Sequence, residues 1–467
     1  MAESNASKEL KETLYLNRKN GGLRLSEEEI RKAEEYAEGY KRFLDAGKTE
    51  REAVSASIAM AEEKGFVPYE YGKKYAPGDR VYWNNRGKSL ILAVMGTQPI
   101  ENGVNLMAAH IDSPRIDLKG CPLYEQDELA LFKTHYYGGI RKYQWVAMPL
   151  SLHGVIVRAD GSSVTVRIGE DPGDPVFCIT DLLPHLAADQ RKRTLDAGIK
   201  GEELNILIGS YPFRDDETSE RVKLNIMKLL NEKYGIVEAD FLSAELELVP
   251  AFPASDLGFD RSLIGGYGQD DRVCGYTALT ATLEAVAPAR TVVTVLADKE
   301  EIGSVGNTGL NTSVLEYFIS DLAKPFGVDG RRVLSNSKCL SADVNAAFDP
   351  TFPDVHEKRN ACFINYGVVV TKFTGSGGKS GTSDASAEFT GEVRRMLDKG
   401  GVLWQTGELG KVDQGGGGTV ALYIASRNVD VIDVGVPVLS MHAPFEVVSK
   451  VDVWSTYRAF TVFAQHC

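Results

Sequence analysis

Apolar positions in the first 65 or so residues recur with helical spacing. "LSEEEIRKAEEYAEGYKRFLDAG" places Ser26 three residues before Glu29, a capping-box pattern, and Gly47 reads as a stop. "KTEREAVSASIAMAEEKG" predicts a second helix that also ends in glycine. This amphipathic start is expected to form a surface layer on an α/β core. The apolar runs then shorten to strands in "DRVYWNN", "SLILAVMG" and "VNLMAAHIDSP", the last closing in a Pro-bounded loop.

From about Ile116 to Val249 the pattern alternates with a period of two. "GVIVRADGSSVTVRIG" predicts a hairpin around Asp160-Gly161, "LNILIGSYP" and "AELELVP" predict short strands, and only "ERVKLNIMKLLNEKYG" is clearly helical. After "GQDDRVCGYTALTATLEAV" the strand–helix alternation returns. A helix is expected from Asp271, then the "TVVTVLA" strand. Later come "KCLSADVNAA", "GVVVTKF", a helix near "SDASAEFTGEVRRML", and "GVPVLSMHAPFEVVS". β-Branched strands alternating with helices predict an α/β fold with a mostly parallel central sheet flanked by helices. The expected plan is one domain from residues 1–115 and 250–467, interrupted by a β-rich insertion at 116–249.

The formal net charge of −13 disfavours nucleic acid or an anionic membrane as the main partner. No run approaches the ~18 apolar residues that cross a bilayer, and the polar N-terminus has no secretory h-region. Six scattered cysteines without a CxxC pair suggest reduced thiols in a cytoplasmic protein and make Cys-based zinc binding improbable. The glycine-rich stretches "TGSGGKSGTSD" and "DQGGGGTV" match no phosphate-loop pattern and predict close-approach loops beside a site.

Ligand-type residues gather at strand ends, where open α/β sheets build their sites. His110 and Asp112 follow "VNLMAA", Asp270 and Asp271 precede a helix, and Glu300 and Glu301 follow "TVVTVL". Asp343 closes "KCLSAD" and His442 closes "VPVLSM". Two imidazoles and several carboxylates on one sheet edge could hold two divalent ions, with one carboxylate bridging. Nitrogen and oxygen ligation suits zinc, with manganese or cobalt as replacements. A further carboxylate beside a metal-bound water would be a general base, so the adjacent glutamates divide into one ligand and one base.

In that order, "AAHIDSPR", "GQDDRV", "DKEEIGS", "SADVNAAFDP" and "LSMHAPFE" resemble the aspartyl aminopeptidase family, the M18 dinuclear zinc metallopeptidases, across essentially the whole chain. The resemblance implies a zinc exopeptidase-like catalytic domain, an inserted dimerisation domain, and a homododecamer built from dimers. It also implies two zinc ions per subunit: one on His110, Asp270 and Asp343, the other on Asp270, Glu301 and His442. Asp270 would be the bridge, Asp271 a supporting or helix-capping residue, and Glu300 the general base. Asp112 would orient the His110 ring. Peptides with an acidic N-terminal residue are the implied substrates, with Lys379 the candidate cation for that residue. Relatives also carry a histidine from a neighbouring subunit; near His185 this chain has Asp189 instead, which disfavours an acidic substrate. The other histidines, His135, His153, His356 and His466, read as structural or surface residues. An amidohydrolase or deacylase using the same ion pair, and a non-catalytic shell protein of this fold, are the competing readings.

Overall fold

The computed structural model describes residues 5–16 and 18–466. Its helical start follows the apolar spacing. Helix Glu27–Ala46 is closed at its N-terminus by the reciprocal Ser26/Glu29 capping box and ends at Gly47. Ala33, Ala37, Tyr40 and Leu44, spaced by three or four, form its buried face. Helix Glu50–Glu63 has a second capping box, from Thr49 and Glu52.

Beneath these helices lies a nine-stranded sheet. Its middle strands run parallel: Val292–Ala297, Asn105–His110, Lys338–Ser341 and Asp430–Gly435 are successive neighbours. The sheet as a whole is mixed. Strands Arg80–Asn85 and Ser89–Val94 pair as a hairpin, with Arg86 and Gly87 both at positive φ in the turn. A turn as short as the three residues Arg86 to Lys88 can only add an antiparallel pair. Val292–Ala297 and Asp430–Gly435 also have antiparallel outer neighbours. Alternate residues feed separate cores: Leu90, Leu92, Met107 and Ala109 on one face, and Ile91, Ala93, Leu106 and Ala108 on the other. Burial on both faces explains the nearly continuous apolar runs.

A seven-stranded sheet takes all its strands from the stretch Arg115 to Pro250, and every neighbouring pair in it is antiparallel. The expected hairpin forms between Leu150–Val157 and Ser163–Ile168, and the expected helix at Arg221–Tyr234. This sheet encloses its own core around Trp145, Leu248 and Ile206.

A third sheet contains Leu263–Gly266, Pro437–Leu439, Glu446–Ser449 and two further short strands. Helix Gln269–Leu283 leaves it and is buried along its whole length, so its sequence has no polar face. Asp270 and Asp271, joined by a cis peptide bond, have non-helical backbone angles at its start, so the regular helix begins after the predicted Asp271. Among the described residues, no helix is long and apolar enough to cross a membrane.

Candidate metal centre

The site lies where the C-terminal ends of the parallel strands meet the third sheet. His110 is the last residue of its strand, and the turn bearing Glu300 and Glu301 follows Ala297, its cross-strand partner. Asp343 follows strand Lys338–Ser341. From the third sheet come Asp270, just beyond Leu263–Gly266, and His442, in the turn between Pro437–Leu439 and Glu446–Ser449.

Asp270 divides its two oxygens between the imidazoles. Oδ1 lies 3.2 Å from His110 Nε2, and Oδ2 lies 3.1 Å from His442 Nε2. Asp343 Oδ1 and Glu300 Oε2 are each 3.9 Å from His110 Nε2, and Glu301 Oε1 is 3.5 Å from His442 Nε2. Three compact groups could each hold a metal ion, with donor atoms within 4.8 Å of one another: His110, Asp270 and Asp343; Asp270, Glu301 and His442; and His110, Glu300 and Glu301. His110 Nε2, Asp270 Oδ1 and Glu301 Oε1 are buried without a hydrogen bond among the described residues. Converging lone pairs without hydrogen-bond geometry fit a metal ion between them.

Both rings are oriented from behind. His110 Nδ1 lies 3.0 Å from the Asp112 carbonyl, and His442 Nδ1 lies 2.8 Å from the Gly139 carbonyl. A carbonyl only accepts, so each Nδ1 carries the proton and each Nε2 keeps its lone pair for the cluster.

Asp112 does more than was expected of it. Its carboxylate is 3.4 Å from His110 Nδ1, farther than its own carbonyl. Oδ1 accepts the Glu300 amide at 3.1 Å, and Oδ2 accepts the Glu301 amide at 3.2 Å and the Tyr137 hydroxyl at 2.8 Å. Glu446 has the corresponding place on the other side, its oxygens accepting the Asp270 and His442 amides. Sequence reading passed over Tyr137 and Glu446. The only signal for Glu446 was its place inside "LSMHAPFE", four residues after His442.

The charges show what the cluster lacks. Burial pushes Asp343, Glu301 and Asp271 well above the usual carboxylate range and raises Glu300 as well, with nearby carboxylates adding to the effect in each case. Asp270 goes the other way: burial disfavours its charge, but contacts with both imidazoles hold it low. Burial opposes a charge on His442 too, yet Asp270 and Glu301 carry it to about 10. Without further cations, protons would have to fill that role; two divalent ions would supply the missing positive charge. Asp271, fully buried with both oxygens unpartnered among the described residues, belongs to none of the three compact groups.

A cavity of about 620 Å³ opens from the cluster, walled by Met441, Leu422, Tyr423 and both glycine-rich loops. The loops meet closely, the Gly375 amide donating to the Gly417 carbonyl at 2.6 Å. A Cβ on Gly416 would lie 1.7 Å from the Gly375 carbonyl oxygen, so this approach requires glycine. Lys379 does not line the cavity: its ammonium is 2.9 Å from Asp384 and 3.8 Å from the Phe373 ring centre. His185 and Asp189 are exposed on a segment of turns, and Asp189 pairs with Lys192 at 2.8 Å. His153 is buried between Glu52 and Glu170, and His466 pairs with Glu392.

Residues 43–464 match the family model for Peptidase M18, described as aminopeptidase I zinc metalloprotease. The chain belongs to the M18 family. The M18 enzyme is 49% identical over 453 residues to a probable M18 family aminopeptidase 1 of Clostridium acetobutylicum, covering 95% of this chain and 97% of that one. A crystal structure of the M18 aminopeptidase of Thermotoga maritima superposes with a TM-score of 0.92 at 45% identity, over 97% of this chain and 100% of that one. The mApe1 dodecamer of S. cerevisiae shares the fold at 20% identity, with a TM-score of 0.75 over 92% of this chain and 96% of that one. This M18 chain is therefore a zinc metalloprotease of the aminopeptidase class, and the shell-protein reading falls away.

Proposed function

We propose that the enzyme removes N-terminal residues from peptides at a two-zinc centre, with manganese or cobalt as possible replacements. His110, Asp270 and Asp343 would hold one ion and Asp270, Glu301 and His442 the other, with Asp270 common to both sets. The observation that carries this reading is the division of the two Asp270 oxygens between the two imidazoles. A single ion would need only one of those faces.

When bound, the ions would polarise the scissile carbonyl and ease loss of a proton from water. Glu300 lies outside both Asp270-centred groups, beside His110 and Glu301, and borders the cavity. Its carboxylate takes the proton from the attacking water and returns it to the departing amine. Asp112 keeps Glu300 and Glu301 in separate roles by fixing the two amides of their turn. Metal counting on the purified enzyme tests the site: two equivalents support it, and one overturns it. Comparing free and N-acylated substrates decides between the aminopeptidase and the deacylase reading.

The family resemblance favours an acidic N-terminal residue, which requires a cation. The described residues lining the cavity include no lysine or arginine, and Lys379 is paired with Asp384. Met441, Leu422 and Tyr423 instead favour a neutral side chain. A panel of aminoacyl substrates bearing Asp, Glu, Leu, Lys and Ala separates the two, since faster cleavage of Asp or Glu would return Lys379 to the pocket.

We assign residues 1–115 and 250–467 to the catalytic domain and 116–249 to a dimerisation insertion, with the dimers building a homododecamer. Exposed Val176, Leu182, Leu183, Leu186, Leu195 and Tyr211 within that stretch support an interface, as does the dodecamer of the yeast protein. Light scattering of the pure enzyme tests the assembly. Cys121, Cys178, Cys274, Cys339 and Cys362 are free thiols, which supports a cytoplasmic location.

A further inference from the structure

We infer that the run Tyr137-Gly138-Gly139, at the exit of strand Leu129–Tyr137, is a positioning element for the Asp270–Glu301–His442 ligand set. The inference rests on the two-ion reading. None of the three residues offers a ligand, and their strand belongs to the seven-stranded sheet.

Three consecutive residues reach the same half of the site in three ways. The Tyr137 hydroxyl donates to Asp112 Oδ2 at 2.8 Å, the oxygen that also accepts the Glu301 amide. Gly138, at a φ of 74°, packs on Glu301, and a Cβ there would lie 3.3 Å from Glu301 Cβ and Oε2. The Gly139 carbonyl accepts from His442 Nδ1 at 2.8 Å, and a Cβ on Gly139 would lie 3.3 Å from that nitrogen. Both glycines are thus pressed against proposed ligands.

Tyr137 is itself braced. The Arg115 guanidinium lies 3.9 Å from its ring centre. Arg115 is fixed in turn by Glu50, Asp117 and Glu247 at 3.3, 2.8 and 3.2 Å. The brace therefore runs from buried ion pairs through an aromatic ring to a fully buried carboxylate and the Glu301 turn. Removing the phenol hydroxyl takes one donor from Asp112 and frees that carboxylate to turn. Outer partners of metal ligands typically change metal affinity about 10–100-fold.

The test compares wild type, Tyr137→Phe, Gly139→Ala and the neighbouring control Tyr136→Phe. Each zinc-loaded protein is titrated with dipicolinate while bound zinc is counted, and each metal-free protein is melted. Wild type and Tyr136→Phe should release two zinc ions alike. Tyr137→Phe and Gly139→Ala should release one of the two at roughly tenfold lower chelator, within the usual range for such partners, whatever the change in metal-free Tm. Unaltered release, equal weakening of both ions, or a lower metal-free Tm with normal release would each overturn the inference and leave the two-ion reading intact. A wild-type enzyme holding a single zinc would remove that reading and the inference together.

Discussion

Glu446 holds Asp270 through the main chain, its Oε2 accepting the Asp270 amide at 3.1 Å. Oε1 accepts the His442 amide at 2.8 Å, so one carboxylate that is 1% exposed fixes two proposed ligands. Glu446→Ala strands two amides, each costing about 1–3 kcal/mol if left unpaired in the interior. The expected outcome is a lower Tm together with zinc released at lower chelator concentration. Glu446→Gln, which keeps one acceptor, should fall between the alanine variant and wild type in both measurements.

Glu300→Gln removes the proposed proton acceptor and leaves every proposed ligand in place. General-base catalysis typically contributes about 10²–10⁴-fold, so kcat should drop within that range. Two zinc ions per chain should remain by elemental analysis. Retained turnover would assign the base elsewhere.

Removing metal should destabilise the enzyme, because the clustered carboxylates lose the cations that offset their repulsion and a ligand of the folded state is withdrawn. A melting scan of chelated protein should show a lower Tm. Adding zinc, manganese or cobalt should restore it, and the ion giving the highest Tm is the one that best fits the site. An unchanged Tm would argue that the cluster is neutralised by protons alone.

Away from the site, Glu170 accepts hydrogen bonds from Lys48 at 2.8 Å, Ser151 at 2.6 Å and His153 at 3.1 Å. Burial opposes its charge, but these three partners take it from 4.5 down to about 2. A carboxylate depressed by folding contributes stability that is complete above its unfolded value and is lost as pH falls through the folded one. Stability should therefore decline between roughly pH 4.5 and 2. Glu170→Gln should lower the urea midpoint at neutral pH and flatten that acid limb. An equally steep limb in the variant would place the titration on other groups.

Most of the ligand-type residues could be read from sequence because they follow an apolar run, where chain direction alone brings them to the sheet edge; Asp270 stands instead at the start of a helix. Which oxygen faces which ring could not be read, since that depends on how the third sheet packs against the parallel strands. Glu446 was hidden for the same reason: a glutamate after a Pro-containing turn looks solvated until the strand beneath it is placed. Tyr137 lies far from the motifs in the chain and reaches Asp112 only because the seven-stranded sheet docks there. Lys379 was the natural cation to pick from a glycine-rich loop, but Asp384, five residues on, captures it. The antiparallel hairpin at Arg86-Gly87 did have a local signal, a short polar turn between two β-rich runs, and it accounts for part of the mixed sheet.

The site draws His110 from early in the chain, and His442 with its clamp Glu446 from after every other site residue. A ribosome therefore completes the centre last. Until Glu446 has emerged, the growing polypeptide lacks the carboxylate that accepts the Asp270 and His442 amides, so the proposed second ion set is completed only late in synthesis.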